Sequence, residues 1–169
     1  MNSIPLREPS PTESPTVLVD AHVHAHGVFD AEQFFECAHA NFRQARLGLA
    51  VPAAGTNVLL LAESAQQDFF TRMSHDVGRK GPWKINKTSE NTSLVVVGKV
   101  LATLTLVAGR QIVTREGLEV LAIGTSETLP DNLPVEDVLH AVRQCGALAI
   151  VPDERSCTVM LEQLRRQLN

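Results

Sequence analysis

Cysteine is scarce in this chain: three residues in 169, Cys37, Cys145 and Cys157, lie far apart with no Cys-x-x-Cys pair. That excludes a small disulfide scaffold and makes a reducing, cytoplasmic setting the expectation. An excess of basic charge is also missing. The net charge of -4 creates no general positive field, so nucleic acid is not an expected partner. The stretch "GRKGPWK" puts basic residues around Trp83, but it reads as an exposed turn leading into a strand. Long apolar runs are absent too. The best candidate, "SLVVVGKVLATLTLVAG", is broken by Lys99 and by glycines. It falls short of the about 20 apolar residues a membrane span needs. No Gly-rich phosphate loop and no Gly-x-Ser-x-Gly elbow occurs. The first sixteen residues, "MNSIPLREPSPTESPT", have no apolar segment like that of a signal peptide and read as a disordered leader. Without an export signal, the glycosylation-type triplets at Asn86 and Asn91 carry little weight.

What is present concentrates in "VLVDAHVHAHGVFD", residues 17–30. Side chains alternate across a strand. On that spacing Asp20, His22, His24 and His26 share one face, and Val19, Ala21, Val23 and Ala25 the other. One face can bury, while the other carries metal-binding or proton-transfer groups.

Further along, Asp30 with Gln33 three positions later reads as a capping box. Phe35, Ala38, Phe42, Ala45 and Leu49 follow at helical spacing. "TNVLLLAES" reads as a strand ending at Glu63, and "QQDFFTRMSHDV" as a short helix. From Trp83 to Gly124, short runs of Val, Thr, Leu and Ile separated by turn residues predict consecutive strands. "PVEDVLHAVRQCG" predicts a helix with Pro134 in its first turn and Gly146 at its C-terminal cap. "ALAIVPD" predicts a strand and "SCTVMLEQLRRQL" a last helix. Strand–helix alternation at both ends implies α/β architecture with largely parallel strands, whose sites sit at strand carboxyl ends. His22, His24, Glu63 and Asp153 all fall at such ends.

The Asp-x-His-x-His stretch resembles the opening motif of the PHP (polymerase and histidinol phosphatase) family of metal-dependent phosphoesterases. The similarity continues at Ala62-Glu63-Ser64, in "GRQIVTREGLEVLAIG" and in "GALAIVPDE". It departs from the pattern at Ser64, where the family has His, and at Gln111, where it has Glu. The final His-Pro is absent. The resemblance implies a partial, distorted TIM-type barrel over residues 17–169, with an antiparallel insert near 83–124. With 169 residues against the roughly 200–250 of a full barrel, the C-terminal part of the barrel would be lacking. It also implies a divalent transition metal (Zn, Mn or Fe), weakly bound or lost, on His22, His24, Glu63 and Glu119. Asp20, His26, Gln111 and Asp153 are secondary candidates. The implied function is phosphoesterase-type hydrolysis of a small phosphorylated substrate at an incomplete site. The alternatives are a non-catalytic binding or assembly module, or an inactive fragment. An unclosed sheet would leave edges open to self-association.

Overall fold

The computed structural model describes residues 16–27, 30–99 and 102–152. The expected last helix, Asp153, Cys157 and nearly all of the leader lie outside the described residues.

The chain runs β1 (Val17–Val23), α1 (Ala31–Gly48), β2 (Thr56–Leu61), α2 (Phe69–His75), β3 (Lys84–Lys87), β4 (Ser93–Val97), β5 (Thr103–Val107), β6 (Gly109–Val113), β7 (Glu119–Ile123), α3 (Val135–Gln144) and β8 (Leu148–Ile150). Local chemistry explains the helices. The Asp30 carboxylate accepts from the Glu32 and Gln33 N–H groups at 2.9 and 3.0 Å and starts α1. Gly146, at φ 69°, takes the left-handed turn after α3 that few other residues accept.

The strands form two sheets, one of five strands in the order β1-β2-β5-β4-β3 and one of three in the order β6-β7-β8. Only β1–β2 and β2–β5 pair in parallel; β3–β4, β4–β5, β6–β7 and β7–β8 are antiparallel. This overturns the expected partial TIM-type barrel. Repeated strand–helix crossovers build a parallel barrel, but here α2 is followed by a β3–β4–β5 meander. The antiparallel strands are therefore not an insert but the larger part of both sheets. Among the described residues no strand returns to β1, and the sheet does not close.

β5 and β6 are nearly one strand. A Cβ on Gly109 would run into the Leu61 carbonyl and the Ile123 side chain. The glycine lets the strand pass close to β2 and swing from one sheet into the other. The Glu63–Arg110 bridge extends the parallel pairing past that joint.

α1 and α2 cover one face of the larger sheet. Phe35, Ala38 and Phe42 join Phe69, Phe70 and Met73 over Leu59, Leu61, Leu104 and Leu106. Each of the large side chains so buried contributes about 1.5–3 kcal/mol. The helical stripe departs from expectation at its end. Ala45 and Leu49 are exposed, and Arg46 is buried instead. Its guanidinium donates to Asn57 Oδ1 at 2.8 Å and to the Thr56 and Pro52 carbonyls at 3.0 and 3.1 Å. α3 covers the smaller sheet through Val135, Val138 and Val142 on Ile112, Val120 and Ala122. A third cluster joins the sheets where Leu60, Val107 and Ile150 meet Ala62, Leu121 and Ile123. β1 is an edge strand, and on the face the sequence marks as able to bury, Val17 and Val19 are each 52% exposed. No helix among the described residues is long and apolar enough to cross a membrane.

Candidate functional site: a histidine pair facing a glutamine

The register of β1 against β2 shifts between Asp20 and Val23. Such a bulge reverses the alternation of faces beyond it. Asp20, opposite Leu59, therefore falls on the α1 side, where it lines a groove with Phe34 and Ala38. It does not share the face of the histidines. Val23, opposite Leu61, and Ala25 also pack into the α1 core. His22, His24 and His26 alternate with them and fall on the opposite face.

On that face His22 Nε2 is 2.9 Å from Gln111 Oε1 and 3.1 Å from His24 Nε2. The His24 and His26 rings stack at 5.9 Å, and Gln67 Nε2 donates to His26 Nδ1 at 2.9 Å. Burial, then the neighbouring His22 and His26, hold the pKa of His24 below its ordinary value. That shift favours the neutral imidazole, the form that binds metals. The backbone at Ala62 and the Glu119 charge push weakly the other way. Glu119 opens β7 beside Val113, two residues along β6 from Gln111. It is an electrostatic neighbour of His24, and no hydrogen bond joins the two.

Glu63 does not join this group. It is 1% exposed. Its Oε1 accepts from the Phe69 N–H and its Oε2 from the Phe70 N–H at 3.4 Å. The carboxylate caps α2 across a loop, where Asp68 makes no side-chain capping bond. Burial raises its pKa, against the opposing pull of Arg110 and of the two N–H groups. Ser64, at the position where the resemblance expects a ligand His, donates its N–H to Gln67 Oε1 at 2.9 Å.

Two residues here carry no sequence signal. Arg110 is 5% exposed and donates to the Gln67 and Ser126 carbonyls at 2.7 and 2.6 Å. Gln67 links that arginine, Ser64 and His26. Its place in "AESAQQDFF" looks like ordinary loop chemistry, because its partners come from distant strands.

His22 Nε2 is shared by two neighbours. With a proton, it can donate to Gln111 Oε1 or His24 Nε2, or divide one hydrogen between them. Without a proton, its lone pair faces the Gln111 carbonyl oxygen. A cation shared by the three atoms would relieve that conflict. The 3.1 Å separation of the imidazole nitrogens lies within the ~3.0–3.4 Å expected for two nitrogens sharing one ion at about 2.1 Å. These donors could hold one divalent ion only weakly, because none of the three atoms carries a negative charge. Among the described residues no group of three or more His, Cys, Asp or Glu side chains converges as a metal site would. Comparison with protein-family models, curated proteins and solved structures finds no match to this chain.

Proposed function

We propose that His22, His24 and Gln111 form a reduced, single-ion metal site of the phosphoesterase type, taking zinc, manganese or iron. The observation that carries the reading is the convergence of two imidazole nitrogens and one amide oxygen within 2.9 and 3.1 Å of each other along the chain of contacts. The PHP resemblance supports it through these residues alone, since the described residues do not form the barrel that the family implies.

When bound, such an ion supplies Lewis acidity to a phosphoryl oxygen and acidifies water. The chain's own contribution is positional. The bulge in β1 aims both histidines at β6, and burial favours the neutral form of His24. Gln111 holds His22, and Gln67 holds His26. Glu63, engaged as a helix cap, supplies neither a bridging ligand nor a general base. Arg110 spends its donors on carbonyl oxygens and has none aimed at a phosphate. Turnover of a small phosphorylated substrate is therefore weak or absent. The engagement of Glu63 favours a second reading, a non-catalytic binding module that keeps one ion. The cytoplasmic setting rests on cysteine usage.

Elemental analysis of untagged protein tests the site. Parent protein should hold up to one equivalent of metal, and His22→Ala with His24→Ala should hold none while keeping its far-UV circular dichroism. Unchanged stoichiometry in the double variant overturns the assignment. Metal-dependent hydrolysis of an aryl phosphate at about 1 per second or faster would show that other residues complete an active centre.

A further inference from the structure

A second cleft opens at the other end of the larger sheet. It borders Asn57 near the start of β2 and Thr103 at the start of β5, and it encloses about 930 Å³. That volume falls in the range of small-molecule sites, about 300–1,000 Å³. From Asn57 to Ala62, beside His24, is five strand steps, roughly 16 Å, so the cleft is separate from the histidine pair.

Four segments of the chain build its walls. One face of α1 contributes Glu36, His39 and Arg43, the β4–β5 turn contributes Lys99, and the lead into β3 contributes Trp83. The Trp83 ring is fixed. A Cβ on Gly98 would lie 2.7–2.9 Å from three of its ring atoms, so only glycine lets the β4–β5 turn close on it. Phe35 at 5.7 Å and the His39 ring at 6.3 Å hold its other sides. Ala53, Ala54 and Ala102 line the remainder with apolar surface. Among the described residues the ion pairs are Arg72–Asp68 and Arg79–Asp76. Arg43 and Lys99 thus bring unpaired positive charge from two elements to one cleft, although the chain as a whole is acidic, at -4.

We propose that this cleft binds a small organic phosphate: a dianionic head held by Arg43 and Lys99, with a flat apolar body along the alanine-lined wall beside Trp83. Guanidinium matches phosphate oxygens in a bidentate fork, and the ammonium adds a compact second charge. Glu36 in the same wall accepts from a hydroxyl or amine on the ligand body and disfavours a ligand whose negative charge is spread over its whole length.

Phenylphosphonate is a suitable probe, because its carbon–phosphorus bond is not a phosphoester and the histidine site cannot hydrolyse it. Trp83 is the chain's one tryptophan and there is no tyrosine, so tryptophan emission reports on this wall alone. Calorimetry supplies a second reading where emission is silent. The full chain should bind phenylphosphonate saturably, and more tightly than inorganic phosphate. Arg43→Ala with Lys99→Ala should weaken binding at least about tenfold, the equivalent of one lost charge-assisted contact of about 1.4 kcal/mol. His22→Ala with His24→Ala should leave it unchanged, which separates this cleft from the metal site. No saturable heat up to about 10 mM, an unaltered affinity in the Arg43/Lys99 variant, or loss of binding in the histidine variant would each overturn the proposal. Equal affinity for inorganic phosphate would overturn the apolar part of the ligand assignment.

Discussion

Glu63→Ala separates a helix cap from a metal ligand. In the parent, the buried carboxylate accepts from the Phe69 and Phe70 N–H groups at the start of α2. The alanine leaves both donors without that partner in a site only 1% exposed at residue 63. Each orphaned buried donor costs about 1–3 kcal/mol. Removing a desolvated charge returns part of this, as the raised pKa of Glu63 indicates. A net loss of about 3 kcal/mol follows. At about 2–4 °C per kcal/mol for a chain of this size, the melting temperature should fall by about 6–12 °C. Glu63→Gln keeps one acceptor oxygen and should fall by roughly half as much. Melting is followed by circular dichroism with and without added zinc, and metal content is measured on the same samples. Both variants should keep the parent's metal stoichiometry. A variant that melts like the parent but loses its metal would refute the cap and restore Glu63 as a ligand.

Gln111→Glu places a charge beside His22 Nε2, and metal affinity measured by competition with a chelator should rise at least about tenfold; no gain would remove residue 111 from the site. Acidification should lower the melting temperature through His24. Its folded pKa lies below the ordinary 6.5, so the unfolded chain takes up the proton first. This contribution is complete above 6.5 and is lost as pH falls toward the lower folded value. In His24→Asn the melting temperature should depend less on pH between 7.5 and 5.5 than in the parent, by calorimetry; an identical profile would show that His24 carries none of it. The outer edge of β1, unpaired among the described residues and with Val17 and Val19 each 52% exposed, should promote self-association. Light scattering and melting at several concentrations check this, and a concentration-independent monomer that melts above about 60 °C would show that the edge is protected.

Local order was legible because it depends on neighbours in sequence. Asp30 and Gln33 mark the start of α1, Gly146 follows the end of α3, and the short runs from 84 to 123 are strands. The partnering of those strands was not legible. A period-two run says that a strand exists but not which strand it pairs with, and pairing here joins residues far apart, such as Leu60 with Val107. The barrel expectation assumed that each strand after a helix adds in parallel. Instead β4 turns back into β5, which lies beside β2, and Gly109 carries the chain on into β6 where the Leu61 carbonyl leaves room only for glycine. Arg46 shows the same limit within a helix. Its charge looked like solvent-facing surface, but its partners come from the turn at 52–56 and from Asn57, so the helical stripe ends on a buried cation.

The site was legible in its histidines and illegible in its acids, for one physical reason. A His-x-His pair at a strand end puts its two rings on one side, which lets His22 and His24 meet. An acidic residue at a strand end serves whichever donors arrive first in space. For Asp20 a single bulge decided the outcome by turning it toward α1. For Glu63 the start of α2 decided it, because two N–H groups reached the carboxylate, with the Arg110 charge nearby, and the histidines did not. Gln111, read as a departure from a ligand Glu and as a secondary candidate, is the residue that touches His22. An amide at that position can hold an imidazole in place without a metal, where a carboxylate would also draw a proton or an ion. The amide thus keeps the histidines aligned, and by carrying no charge it would weaken their hold on any metal they take, so metal content and turnover are to be measured separately in this protein.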